Sequence, residues 1–306
     1  MTDTSKGRMP DFLLIGGMKC GSTTLHDYLV NHPQLAQPQY KEPGFFSRDE
    51  RYALGLDWYR GVFASARPGQ LAFESSTCYS RHPHFPDAAQ RIGEHLPDIK
   101  LVYIMRHPVD RLYSHYRHAM LERQKKGTGP VISLGAALLE TEEYFDSGCY
   151  LKQIEQYTAH YERDRFFFLT LSELKTDPDA VLVKLQEFLG VEVEPKLSTT
   201  LEGASNAIGA RAVETNAAST RETLRRNPLV RIAKRLVPKQ ARAVLMKAVM
   251  ESPIMKARMK ARADAFAAQL SKLSDTQRKE LLERYAPHNH ALSEFLGRPL
   301  PASWVR

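Results

Sequence analysis

Short apolar runs, each followed by a turn and an amphipathic helical segment, constrain this chain more than any other feature. Asp11-Phe-Leu-Leu-Ile15 stops at Gly16-Gly17 and gives way to a helical pattern over Ser22–Val30, which Asn31-His-Pro33 ends. Leu101-Val-Tyr-Ile-Met105 stops at Arg106-His-Pro108, and a helix is predicted over Val109–Arg123. Arg165–Leu171 is followed by a helix over Asp177–Gly190, with Leu182, Leu185, Phe188 and Leu189 on one face; Leu71-Ala-Phe73 is a further short strand. Strands that are apolar throughout are buried on both faces, so the alternation predicts an α/β fold with a parallel sheet flanked by helices. From Thr220 onward the signals are helical, and Ser274-Asp-Thr-Gln277 has the capping-box pattern. The expectation is a single domain over 10–306, with an α/β core at 10–205, a mostly helical C-terminal subregion at 206–306 and a flexible N-terminus at 1–9.

Composition excludes the unusual classes. Hydrophobic residues at 42% and charged residues at 25% are ordinary globular values. The apolar stretch Phe12–Met18 is far short of the roughly 18 residues a spanning helix needs. Three widely spaced cysteines, Cys20, Cys78 and Cys149, form neither a disulfide framework nor a zinc motif, which fits a reducing compartment and a cytoplasmic protein. The net charge of +8 is concentrated: Arg221–Arg262 holds thirteen Lys and Arg against Glu222 and Glu251. Such a block is a solvated helical face, or it holds an anionic acceptor or a membrane surface. Nucleic acid is not expected, because the interleaved aromatics of a single-strand binder are missing.

Gly16-Gly17-Met18-Lys19-Cys20-Gly21-Ser22-Thr23 joins the first strand to the first helix. Glycines permit close backbone approach, and a helix N-terminus offers unpaired N–H groups, so the segment suits a phosphate or sulfate. It is P-loop-like without being a Walker A loop: that pattern requires Lys at position 22, where Ser22 stands, and the lysine has moved back to Lys19. A kinase also needs Mg²⁺ held by an Asp at a strand end. The strand ending at Met105 leads into Arg106 instead, and only Leu71-Ala-Phe-Glu74 offers a carboxylate. A sulfuryl group carries less charge than a terminal phosphoryl and can move with lysine and backbone donors and no metal.

Lys19 in Lys-x-Gly-Ser-Thr, together with Arg106-His-Pro-Val-Asp-Arg-Leu-Tyr-Ser114, resembles the sulfotransferases that use 3′-phosphoadenosine 5′-phosphosulfate (PAPS). The resemblance implies a 5′-phosphosulfate loop of Gly17, Lys19, Cys20, Gly21, Ser22 and Thr23, and a 3′-phosphate site at Arg106 and Ser114. Within that family the chain resembles the glycan-modifying branch related to heparan sulfate sulfotransferases and its bacterial relatives. Lys41-Glu-Pro-Gly-Phe-Phe46 is similar to the segment that carries that branch's catalytic glutamate, which matches Glu42. Leu56-Asp-Trp-Tyr59, Gly148-Cys-Tyr150 and the closing Leu-Gly-Arg-Pro-Leu with Trp304 are also similar. The chain departs from the glycosaminoglycan enzymes at Ser75, where they place a lysine, and lacks their late cysteine pair and Gly-Arg nucleotide loop. Asn206–Arg211 is the candidate segment to close over the adenosine, with Arg211 as its nucleotide contact.

The chemistry this implies is transfer of the sulfuryl group of PAPS to an acceptor hydroxyl or amine on a glycan, glycolipid or small molecule. Glu42 is the expected general base, and Lys19 with the loop N–H groups the expected stabilisers of developing charge. His82 or His84 is the alternative base, as in the histidine-dependent cytosolic branch. Among them, His82, His84, His107, His115 and His118 form no metal-ligand pattern, and no metal is expected. Trp58 and Tyr59 are candidates for an acceptor cleft or for core. A P-loop-like kinase and a non-catalytic nucleotide-binding module remain the alternative readings.

Overall fold

The computed structural model describes residues 7–194 and 272–304, with a few positions between 257 and 270. Arg211, the segment 206–211, every Lys and Arg of the Arg221–Arg262 block and most of the helical subregion lie outside the described residues.

Five parallel strands form one sheet in the order β2-β3-β1-β4-β5: β1 Phe12–Gly16, β2 Leu35–Ala36, β3 Leu71–Ser75, β4 Lys100–Met105 and β5 Phe166–Thr170. The four strands read from sequence are present. Sequence does not anticipate β2, which is two residues long and pairs only through Leu35 with Leu71 and Ala36 with Ala72. Phe12–Ile15 and Leu101–Met105 are completely buried, as strands covered on both faces must be. Burying one such Leu, Ile or Phe side chain contributes about 1.5–3 kcal/mol.

Helices follow the strands where local signals place them. Among the described residues, α1 (Ser22–Val30), α2 (Asp49–Tyr52), α3 (Gly55–Gly61) and α4 (Ala88–His95) precede β4, and α5 (Pro108–Lys126) follows it. Then come α6 (Leu134–Glu140), α7 (Glu143–Asp146), α8 (Tyr150–Thr158), α9 (Leu171–Thr176), α10 (Pro178–Leu189) and α11 (Asp275–Leu296). Helix α10 starts where Asp177 accepts the Ala180 N–H at 3.0 Å, with Pro178 at its first position, and it stops at Gly190 with φ 80°. The Ser274–Gln277 capping box opens α11 as the sequence predicts.

The chain divides into two compact units. The first comprises Met1–His115, Leu138–Leu201 and Leu273–Arg306 and holds the whole sheet. Of the second, the described residues are mainly Tyr116–Ala137, where the Tyr116 hydroxyl donates to the Ile132 carbonyl at 2.7 Å. In the first unit the strand order reverses direction around β1, so the C-terminal edge beside β1 is where an open α/β sheet leaves a crevice for a ligand.

Candidate active site

The loop after β1 is pinned to the neighbouring strand, because the Gly17 N–H donates to the Ile104 carbonyl at 2.6 Å. The Cys20 N–H closes a turn on the Gly17 carbonyl at 3.1 Å, and the turn places Lys19 at φ 66°. Gly21 then caps α1 at φ 96°, a left-handed conformation that favours glycine, and a Cβ there would also meet Leu171 Cδ1 at 2.6 Å. No side chain caps α1, and its first turn has no acidic residue. The N–H groups that open a helix have no partner within it, and a helix start of this kind suits an anion. Cys20 itself is completely buried and burial raises its thiol pKa, so it shapes the loop rather than facing a ligand.

A single hydrogen bond brings the second sequence-predicted segment to this loop: Lys41 Nζ donates to Thr23 Oγ1 at 2.8 Å. Glu42 follows, exposed and at φ 56°. Among the described residues, Lys19 and Glu42 are the only non-glycine residues with positive φ. Such backbone costs about 1–3 kcal/mol per residue and persists only where the surroundings hold it. Two residues on, the loop is bound by Glu74, which sequence presented only as a strand-end carboxylate. Glu74 is completely buried and accepts the Gly44 N–H at 3.0 Å, the Tyr79 hydroxyl at 2.8 Å and the hydroxyls of Tyr59 and Ser76. Burial raises its carboxyl pKa, and these four donors oppose the rise. Glu74 is thus already engaged by four protein donors, three on Oε1 and one on Oε2. Tyr59 is therefore part of a buried clamp and not of an acceptor cleft.

Ser75, at the position of the branch's lysine, pairs instead with His26: its Oγ lies 2.9 Å from the imidazole Nδ1. Burial first, and then the nearby Lys41 ammonium, lower the His26 pKa to about 4. The His82 backbone is bracketed by Gln153, which accepts its N–H at 2.7 Å and donates to its carbonyl at 2.9 Å, and its Nδ1 is buried. His84 is 53% exposed, with Nδ1 3.9 Å from Glu143.

Arg106 directly follows β4 and reaches back to the first loop, where its guanidinium donates to the Lys19 carbonyl at 3.4 Å. It opens a cavity of about 640 Å³ whose other walls include Lys175, Arg278, Asp110, Ser172 and Trp304. Asp110 is already paired with Arg278 at 2.5 Å, so the cavity keeps an excess of positive charge suited to an anion. Ser114, nearly buried on α5, lies outside that lining. Sequence reading missed Leu171, Ser172 and Lys175; the available signal was their position just past β5, at the same sheet edge as Lys19 and Arg106. Among the described residues no three His, Cys, Asp or Glu side chains are grouped to hold a metal, and no helix is long and apolar enough to cross a membrane.

The sulfotransferase domain model matches residues 9–227. The chain belongs to the sulfotransferase family. It is similar to heparan sulfate sulfotransferases, being 30% identical over 200 residues to human bifunctional heparan sulfate N-deacetylase/N-sulfotransferase 3. It is also 28% identical over 195 residues to mouse heparan sulfate glucosamine 3-O-sulfotransferase 6. These matches cover 60% of this chain, but only 22% of the human protein and 53% of the mouse one. The sulfotransferase fold is shared with a solved sulfotransferase from Alicyclobacillus acidocaldarius, which is 28% identical with a TM-score of 0.54 over 72% of this chain and 97% of that one.

Proposed function

We propose that this sulfotransferase moves the sulfuryl group of PAPS to a hydroxyl or amine of a glycan or small-molecule acceptor. The observation that carries the reading is the convergence on one uncapped helix N-terminus of Lys19 and the Lys41-Glu42 loop, the first held at positive φ and the second tied to Thr23. The residues fit such a donor: an open helix start for the sulfated 5′ end, and Arg106 at the mouth of a cationic cavity for a second anion. The donor supplies the sulfuryl group, whose bond to the phosphate oxygen breaks as the new O–S or N–S bond forms. Glu42 takes the acceptor's proton, and its exposure leaves it open to an incoming group. Lys19 and the N–H groups at the start of α1 stabilise negative charge left on the phosphate side. No metal is assigned to this step.

The names of the heparan sulfate relatives include both an N- and an O-sulfotransferase, which supports a saccharide acceptor sulfated on nitrogen or oxygen. A cytoplasmic setting and an anionic acceptor or membrane surface at Arg221–Arg262 belong to the same proposal. The test is a screen with radiolabelled PAPS against saccharide and small-molecule acceptors, run beside Glu42→Gln. Label transferred by the wild type and not by the variant is the expected result. Transfer from ATP in its place would favour a kinase, and nucleotide binding without transfer to any acceptor a binding module.

A further inference from the structure

The two anion-binding segments are joined by one side chain that neither contains. The Tyr150 ring, at the start of α8, is buried, and its hydroxyl donates to the Arg106 carbonyl at 2.5 Å while accepting the Arg106 N–H at 3.1 Å. The same oxygen lies 3.4 Å from Cys20 Sγ. A phenol has one proton and two lone pairs. With the proton on the Arg106 carbonyl and one lone pair taken by the Arg106 N–H, the remaining lone pair faces the Cys20 thiol, which also reaches the Met18 carbonyl at 3.7 Å. The pairing of β4 with β5 ends at Met105 and Thr170, so Arg106 is the first residue past the ladder. Tyr150 thus stands in for the missing strand neighbour at Arg106 and, through the same atom, touches the middle of the loop after β1.

We infer that Tyr150 is a positioning residue that sets the spacing between the 5′-phosphosulfate loop and Arg106, so that a nucleotide carrying two anions is gripped at both ends together. The inference rests on the donor-site reading above. Two subsites reinforce each other only when held at the ligand's own separation; a ligand with one anion does not sense that separation. Loss of the hydroxyl takes the partner from a part-buried N–H and carbonyl at Arg106 and removes one of the two ties between Arg106 and the loop, leaving the guanidinium bond to the Lys19 carbonyl.

The experiment is calorimetry of the wild type, Tyr150→Phe, Cys20→Ala and Arg106→Ala with three probes: 3′-phosphoadenosine 5′-phosphate, AMP and 3′-AMP. Tyr150→Phe is expected to weaken the bisphosphate by about tenfold or more and each monophosphate by less than about threefold. Cys20→Ala keeps the ring and is expected to shift the same ratio in the same direction by a smaller factor, which carries the test if Tyr150→Phe does not fold. Equal losses for all three nucleotides would show general structural damage and overturn the inference. If Arg106→Ala selectively weakens nucleotides bearing a 3′-phosphate while neither Tyr150→Phe nor Cys20→Ala separates bisphosphate from monophosphates, the inference alone fails. If Arg106→Ala shows no such selectivity, the donor-site reading fails and takes the inference with it.

Discussion

The Gly44 N–H donates to Glu74 Oε1 at 3.0 Å, tying the loop that carries Glu42 to the end of β3. The bond is buried, and the same carboxylate gathers hydroxyls from Tyr59, Tyr79 and Ser76. A loop fixed two residues beyond Glu42 on one side and by Lys41 on Thr23 on the other has little freedom left at Glu42 itself.

Replacing one buried acceptor oxygen tests that clamp. Glu74→Gln keeps the shape but puts an amide NH₂ where a carboxylate oxygen accepts, so a buried donor loses its partner. A loss of about 1–3 kcal/mol is expected from urea titration. An unchanged midpoint would mean that the Glu74 carboxylate does not hold the loop.

Nucleotide binding is expected to survive chelation. The one carboxylate at a strand end that sequence offered for Mg²⁺ is Glu74, and its oxygens are occupied by four donors. Calorimetry with 3′-phosphoadenosine 5′-phosphate in excess EDTA should reproduce the affinity measured without it. Loss of binding in EDTA would restore the kinase reading.

The His26 imidazole gives a pH-dependent stability. Burial and then Lys41 hold its pKa at about 4, against 6.5 ordinarily. Between those values the unfolded chain binds more protons than the folded one, so stability rises with pH across this window. The contribution is complete above about pH 6.5 and is lost as pH falls towards 4. His26→Asn can still bond Ser75 and does not titrate; its unfolding free energy should change less than the wild type's between those pH values, read by denaturant titration at several pH. Parallel curves would rule out the assigned shift.

Arg106→Ala should weaken 3′-phosphoadenosine 5′-phosphate by about 1.5–3 kcal/mol, the usual contribution of a hydrogen bond to a charged group. Adenosine 5′-phosphosulfate, which lacks the 3′-phosphate, should lose much less. Equal losses in calorimetry would place Arg106 against another part of the ligand.

What sequence showed and what it hid follows from the range of the interactions. The turn from β1 into α1 and the end of β4 were legible, because Gly16, Gly21 and Pro108 act on their own neighbours, and the predicted span of α1 is the observed one. Glu74 holding Gly44, 30 residues away, and Tyr150 holding Arg106 and Cys20, 44 and 130 residues away, leave no periodic trace, since each depends on how the loops meet over the sheet edge. The short strand β2 was hidden for a related reason: two residues are too few for a pattern, and pairing with β3 creates the strand. The positive φ at Lys19 and Glu42 was likewise invisible, because neither residue type favours that conformation.

The assignment of the base is the most exposed part of the mechanism. Glu42 is the carboxylate of the segment that Lys41 brings onto Thr23, whereas the His82 backbone is locked by Gln153 and His84 faces Glu143. Glu42→Gln retains size and much of the hydrogen-bonding capacity but cannot accept a proton at the reacting atom. With an acceptor in hand, kcat should fall by about 10²–10⁴. Affinity for 3′-phosphoadenosine 5′-phosphate should stay nearly constant, since no donor contact is assigned to that side chain. His82→Ala and His84→Ala should each cost far less. Near-normal turnover in Glu42→Gln, with either histidine variant inactive, would move the proton transfer to the histidine and leave Glu42 as a loop residue whose backbone, not its carboxylate, matters.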